Sequence, residues 1–413
     1  MTRAMDSLLV GIDIGTQVTT CVVGELQPDA PLEVVAIGRA ASRGISRGNV
    51  VDIAATVNGI REAVQQAEQM ANCHIRSAYV AIGGAHIHSV QSAGSQALRG
   101  REVSNADVLK ALESAKAMAI PADQRLLHVL PQEYAIDEND QVRFPVGMVG
   151  VRLEVRTHLV LAGQSAAQNL IKCLDMASIP LDELVYSGLA SSLAVLTDDE
   201  KDRGVLLVDI GAGTCKMMFW RRGAPRWSRV LALGGDHVTN DIVVAFHTAR
   251  EAAESLKIQY ASARQERGGL DDYINVPGMH SEVAPRRLLR GQLTHVVRLR
   301  YNEICEMALA ALEEAELDGQ MLTSVVLTGG SARLDGLKVL AEEVFQKPVR
   351  IGAPIGFSGL DDVIHDPANA TALGILRHGG RELGGGNPRW KSRLSPFLAK
   401  LGRLKTWFRG EFG

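Results

Sequence analysis

Two stretches about half a chain apart carry the same unit. "SLLVGIDIGTQVTTCVVGEL" around Asp13 and "GVLLVDIGAGTCKMMFW" around Asp209 each read as an apolar strand, an Asp-Ile-Gly turn and a second apolar strand. Recurrence of a supersecondary unit at this distance marks an internal duplication, which constrains the chain to two pseudo-equivalent lobes with their turns facing each other. Later in the chain "SVVLTGGSARLDGLKVLAEEVF" adds a strand, a Gly-Gly turn and a helix. One Asp-Ile-Gly turn alone is more often only a hairpin; two matched turns and a third glycine turn, in this order, predict a nucleotide cleft. The expected fold class is α/β and two-lobed.

The chemistry follows from the residue types. Turns at Gly15, Gly211 and Gly213 leave backbone N–H groups pointing into a hollow, and only small residues let a phosphate approach so closely. Thr16 and Thr214 add hydroxyl donors, and Gly329 and Gly330 offer flat backbone to a purine or ribose. Asp13 and Asp209 are expected to face each other across the cleft and to hold Mg²⁺ through its waters, because that ion needs hard oxygen ligands.

Between the repeats, "VDIAATVNGIREAVQQAEQMA" places Ile53, Val57, Ile60, Val64 and Ala67 on one helical face. From Ala85 to about Gly163 the texture changes to short elements and polar loops closed by the alternating strand "VRLEVRTHLVLAG", as in an inserted subdomain. After the second repeat come helical "VTNDIVVAF" and "REAAESLKIQYASA", a strand-rich region around "GGLDDYINVPG", and a long helix expected to begin near Leu288. His86 and His88 form an HxH pair with no third ligand nearby in sequence, which reads as structural rather than metal-binding.

Charge and aromatic residues are unevenly placed. From Arg389 onward seven basic residues face one acidic residue, Glu411; with a whole-chain net charge of −3, everything before Arg389 carries −9. An acidic body argues against nucleic acid as a partner. The last 24 residues hold five of the 18 aromatics. On a helix begun at Ser395-Pro396, Phe397, Leu401, Leu404, Phe408 and Phe412 share a stripe edged by Trp407 and flanked by Lys405 and Arg409. Such a segment, after the Gly-rich "GGRELGGGNPRWKSRLSP", reads as an interfacial helix lying on an anionic membrane; docking on its own body or in a partner's groove are the competing readings. Five scattered cysteines without CxxC spacing fit reduced thiols. The start, with Asp13 inside its apolar stretch, reads as a buried strand rather than a signal peptide, so a cytoplasmic location is expected.

The arrangement resembles the actin/Hsp70/hexokinase superfamily, and within it the sequence is similar to the FtsA family of bacterial cell-division proteins over nearly the whole chain. "HVLPQEYAID", "FPVGMVGVR", "GLASSLAVLTDDE", "VVLTGGSARLDGL", "VRIGAPIG" and the terminal amphipathic helix carry the likeness. The first is specific to the family; the phosphate turns belong to the superfamily.

That resemblance implies an actin-like fold with a family-specific inserted subdomain. Its subdomain 1A would span 1–84, 164–198 and 361–380, and the insert, 1C, 85–163. Subdomain 2A would span 199–240 and 306–360, 2B 241–305, the linker 381–394 and the membrane-targeting helix 395–413. It implies ATP with Mg²⁺, held by Asp13, Gly15, Thr16 and Gln17 in the first loop and Asp209, Gly211, Gly213, Thr214 and Lys216 in the second. Gly235, Glu254, Lys257, Gly329, Gly330 and Ser331 would take the nucleoside side. As partners it implies the FtsZ C-terminal tail, contacted through Arg300, further copies of the chain in filaments, later division proteins, and the inner face of the cytoplasmic membrane at the division site. Two departures set this chain apart: Gln17-Val18-Thr19 stands where many relatives place a cation, and Lys216 where they tend to place an Asp. Slow or absent ATP hydrolysis is the expectation. A small-molecule kinase of the same superfamily is the alternative, but no acceptor pocket with a catalytic carboxylate is marked. An Hsp70-like chaperone lacks its peptide-binding domain here, and "HVLPQEYAID" counts against a rod-type or pilus relative.

Overall fold

A computed structural model describes residues 8–27, 30–264, 272–279, 284–317 and 321–383. The terminal-helix expectations, at Phe397, Leu401, Leu404, Lys405, Trp407, Phe408, Arg409 and Phe412, lie outside the described residues.

The first lobe opens with the hairpin β1 (Leu8–Ile14) and β2 (Val18–Glu25), then β3 (Leu32–Ala41), the short arms β4 (Ile45–Ser46) and β5 (Asn49–Val50), α1 (Ile53–Ala71) and β6 (Ala78–Ile82). Next come β7 (Ile87–Glu102), α2 (Asn105–Lys116), β8 (Gln124–Ile136), β9 (Asn139–Val142) and β10 (Val149–Gly163), before α3 (Gln164–Met176), β11 (Leu181–Tyr186) and α4 (Ser187–Val195). The second lobe contains α5 (Asp198–Arg203), β12 (Val205–Ile210), β13 (Cys215–Arg221), β14 (Ala224–Leu231), α6 (Gly235–Phe246) and α7 (Arg250–Tyr260). It continues through β15 (Tyr273–Val276), β16 (Arg286–Leu289), α8 (Arg290–Glu313), β17 (Ser324–Thr328), α9 (Leu337–Phe345) and β18 (Val349–Ile351). Finally β19 (Phe357–Gly359), α10 (Asp361–Ile364) and α11 (Ala370–Leu383) return to the first lobe, where β19 pairs with β3.

The duplication is visible in the sheets. One runs β11-β6-β1-β2-β3-β19 and the other β14-β13-β12-β17-β18. In each, an antiparallel meander of three strands is extended by two parallel strands on the side of its first strand. Strands buried on both faces need helices on both sides, and the apolar runs of β1 and β12 meet that demand.

Helix α1 starts where Asp52 accepts from the Ala55 N–H, and it stops at Asn72 in the left-handed region. Val57, Ile60, Val64 and Ala67 are buried on the expected face, with Ile53 half-buried at its edge. Each fully buried Val or Ile contributes roughly 1.5–3 kcal/mol. Every residue of α4 is buried, as suits a short helix apolar on all sides, and α11 packs on it. Helix α8 begins at Arg290, two residues after the sequence expectation, because Leu288 and Leu289 pair in β16 with Ile274 and Tyr273.

The sheet β7-β10-β8-β9 forms its own small core with α2, including Leu98, Leu112, Leu153 and Val155. It also docks on the second lobe. Ser89 donates to the Ser228 carbonyl at 2.8 Å, Gln132 donates to the Pro225 carbonyl at 2.9 Å, and Arg226 pairs with Glu133 at 3.1 Å. All five cysteines are free thiols. No helix among the described residues is long and apolar enough to cross a membrane.

Candidate functional site

The two repeated turns close in the same way: the Gly15 N–H donates to the Val18 carbonyl at 3.1 Å, and Gly211 to the Thr214 carbonyl at 2.9 Å. They meet across the cleft. A Cβ on Gly213 would sit 2.7 Å from Thr16 Oγ1, so only glycine lets the second turn lie against the first. Beside this contact Gln17 Nε2 donates to Asp236 Oδ1 at 2.9 Å, which ties the first turn to the opening turn of α6.

On the second lobe the nucleoside-side residues converge. A Cβ on Gly235 would lie 3.1 Å from Ser331 Oγ and 3.4 Å from Lys257 Nζ. Lys257 pairs with Glu254 at 2.7 Å and donates to the Gly235 carbonyl at 3.0 Å and to Thr239 Oγ1 at 2.8 Å, while Thr239 donates to Glu254. Burial acts to raise the Glu254 carboxyl, but hydrogen bonds from Lys257 and Thr239 outweigh it and hold it below its ordinary range. Gly329, at φ 87°, brings the third turn over Asp209, and a Cβ there would lie 2.5 Å from Asp209 Oδ1. Gly330 faces open space. All three glycine turns therefore surround one cleft.

The two carboxylates sit in different surroundings. Asp209, 2% exposed, accepts from Ser191 Oγ at 2.6 Å and from Thr371 Oγ1 at 3.2 Å on Oδ2. Lys216 Nζ stands 3.7 Å from the same oxygen, its side chain 14% exposed. Asp13 is half-buried, and burial pushes its carboxyl up to about 6; Lys216 opposes the rise and Asp209 adds to it. Burial acts to lower the Lys216 ammonium, yet Asp209 and then Asp13 more than reverse this, so it remains a cation at neutral pH.

A divalent ion held through water by Asp13 and Asp209 would share the cleft with the Lys216 ammonium. Asp209 already spends one oxygen on two hydroxyls and an ammonium. Lys216 is the positive charge beside Asp209. Among the described residues no group of three or more His, Cys, Asp or Glu side chains is placed to hold a metal ion. In the HxH pair, His86 Nδ1 donates to Asn49 Oδ1 at 2.9 Å, and burial together with His88 lowers its pKa to about 4.

Sequence reasoning missed Ser191, Thr371, Asp236 and Thr239. Only Thr239 left a local trace, one helical turn after Gly235 on the face toward Glu254. Arg300, assigned by the resemblance to the FtsZ tail, makes a two-pronged pair with Asp241 of α6 at 2.6 and 2.9 Å and a second pair with Glu303. Next to it along α8, Gln292, His295 and Val296 line a surface pocket of about 350 Å³ with Phe246 and Leu289.

Comparison with known proteins agrees with this architecture. The family model "Cell division protein FtsA" matches residues 206–374, and "SHS2 domain inserted in FTSA" matches residues 84–161. The cell division protein FtsA of Pseudomonas aeruginosa is 43% identical over 410 residues, covering 98% of each chain. Among solved structures, the PilM-PilN type IV pilus biogenesis complex aligns with a TM-score of 0.65 at 19% identity, over 90% of this chain and 98% of that one. MreB5 of Spiroplasma citri bound to ADP aligns with a TM-score of 0.52 at 13% identity, over 89% and 94%. With an actin-like fold, an SHS2 insert and a full-length relative at this identity, the chain belongs to the FtsA family of cell-division proteins.

Proposed function

We propose that this chain is an ATP-binding scaffold of cell division, which assembles on the inner face of the cytoplasmic membrane, tethers FtsZ filaments there and helps to recruit later division proteins. The observation that carries the nucleotide part is the convergence of three glycine turns with Gly235, Glu254, Lys257 and Ser331 at one cleft between the lobes. Phosphates would lie at Gly15, Thr16, Gly211, Gly213 and Thr214, and the ribose and adenine edge at Glu254 and Lys257. The structure of a fold relative with ADP bound supports the choice of ligand.

Turnover is slow or absent in this reading, because Asp209 is already held by Ser191, Thr371 and Lys216 and is not free to orient a water. A hydrolysis rate of many per minute in the purified wild-type chain would sink that part.

The segment 395–413 is the anchor. Its aromatic and basic residues suit an anionic lipid surface, and assembly into filaments would strengthen a reversible contact by avidity. Co-sedimentation with anionic liposomes tests this on the full-length chain and on one stopped at Gly386. Only the full-length chain is expected to pellet, and less of it at high salt; if both stay in solution, the membrane assignment fails.

The FtsZ tail would lie along α8 at Arg300 and the pocket beside it. Val296 lines that pocket and Arg300 follows it by one helical turn, so a peptide with acidic and apolar residues could meet both. Arg300→Glu is expected to weaken binding of an FtsZ tail peptide about tenfold, the scale of one charge-assisted contact. Unchanged affinity, with an unchanged thermal melt, would remove Arg300 from the contact.

A further inference from the structure

In the β12–β13 hairpin Asp209 and Lys216 are direct cross-strand partners, so their side chains rise from the same face of the sheet. The matching pair in the β1–β2 hairpin is Asp13 and Thr20. Only the second repeat therefore carries a cation at this place. Its ammonium is not turned away from the cleft. A Cβ on Gly211, in the second turn, would lie 3.1 Å from Lys216 Nζ, and one on Gly83, at the end of β6 in the other lobe, 3.7 Å from Lys216 Cε. Lys216 thus reaches across the floor of the cleft, from the second turn toward Gly83 of the other lobe and against Asp209.

We propose that Lys216 is a built-in counter-cation, which takes the place of a divalent ion beside Asp209 and lets the cleft bind the polyphosphate of a nucleotide without Mg²⁺. The inference rests on the nucleotide reading above and goes beyond it by naming the form of the ligand: the metal-free nucleoside triphosphate. An ammonium held by one carboxylate still has donors for a phosphate oxygen, since a lysine offers three N–H groups. Fixed by Asp209 and walled by glycine backbone, it loses little freedom when a phosphate arrives.

Isothermal titration of ATP into the purified full-length chain, in excess EDTA and again in excess Mg²⁺, tests this. The wild-type Kd is expected to differ by less than about threefold between the two media. Lys216→Met, which keeps the length of the side chain and removes its charge, is expected to lose about tenfold or more in EDTA and to regain affinity with Mg²⁺. Lys216→Arg is expected to stay within about threefold of wild type in EDTA. Wild-type binding that appears only with Mg²⁺ overturns this inference and leaves the nucleotide reading standing. A folded Lys216→Met chain with wild-type affinity in EDTA overturns it as well. Absence of binding in both media overturns the nucleotide reading and this inference together. Should Lys216→Met fail to fold, the wild-type comparison decides alone.

Discussion

In the first lobe Asp13 stands opposite Thr20 across a hairpin; in the second, Asp209 stands opposite Lys216 across a hairpin of the same register. The backbones of the two repeats agree, down to the glycine N–H that closes each turn on a carbonyl three residues ahead. Their electrostatics do not. Asp13 keeps a half-buried carboxyl shifted upward by burial, while Asp209 is enclosed by Ser191, Thr371 and Lys216. A duplicated fold, then, need not mean a duplicated role. The first aspartate borders the cleft, and the second holds a cation in its floor.

The sharpest way to break this comparison is to neutralise each aspartate in turn. Asp209→Asn leaves the Lys216 ammonium largely buried without its carboxylate, and is expected to lower unfolding free energy by about 3–5 kcal/mol. At pH 7 Asp13→Asn is expected to leave stability unchanged or to raise it, since burial already disfavours the charge it removes. Urea unfolding of both variants measures the difference, and equal losses would show that the two repeats are electrostatically alike.

A second test uses pH. With a folded pKa of about 6 against an ordinary 3.8, Asp13 binds more proton in the folded chain than in the unfolded one between those values. Its contribution is fully present below about pH 4 and is lost as pH rises through about 6, a change of up to about 3 kcal/mol before solvent screening. Subtracting the stability curve of Asp13→Asn from that of wild type isolates this slope. A flat difference would place Asp13 in a wetter site than described.

The turns themselves allow a smaller comparison. A Cβ on Gly15 would lie 2.7 Å from the Val18 carbonyl, which is backbone, whereas one on Gly211 would first meet the end of Lys216 at 3.1 Å. Gly15→Ala is therefore expected to cost about 1–3 kcal/mol, and Gly211→Ala under about 1 kcal/mol because its neighbours, Lys216 Nζ at 3.1 Å and the Thr214 carbonyl at 3.2 Å, need move only slightly. Thermal melts of the pair rank them, and the reverse order would mean that Lys216 is the more rigid neighbour. Smallest of all, Gln17→Ala removes an exposed link to Asp236 and is expected to change stability by no more than about 0.5 kcal/mol.

Much of the fold was legible because it rests on local rules. Apolar runs of strand length broken by Asp-Ile-Gly, and an apolar face recurring from Ile53 to Ala67, point to their elements without help from the rest of the chain. The members of the candidate site were also named from sequence, since each glycine turn declares itself. Their partners were not. Ser191 on α4 and Thr371 on α11 meet Asp209 only because α4 packs against both sheets and α11 packs on α4, and no spacing announces that. Arg300 shows the same limit: nothing in "VVRLRYNEI" reveals that Asp241, on another helix, will take both prongs of its guanidinium.

By itself the sequence determined the duplication, the glycine turns, the alternation of strands and helices and the presence of a lysine at 216, because periodicity and backbone permissiveness are properties of neighbours along the chain. Which way that lysine points and which hydroxyls enclose Asp209 were decided only in the tertiary structure. Charge in a protein interior is settled by what lies within a few ångströms in space, and those neighbours arrive from residues as far apart as Ser191, Asp209 and Thr371.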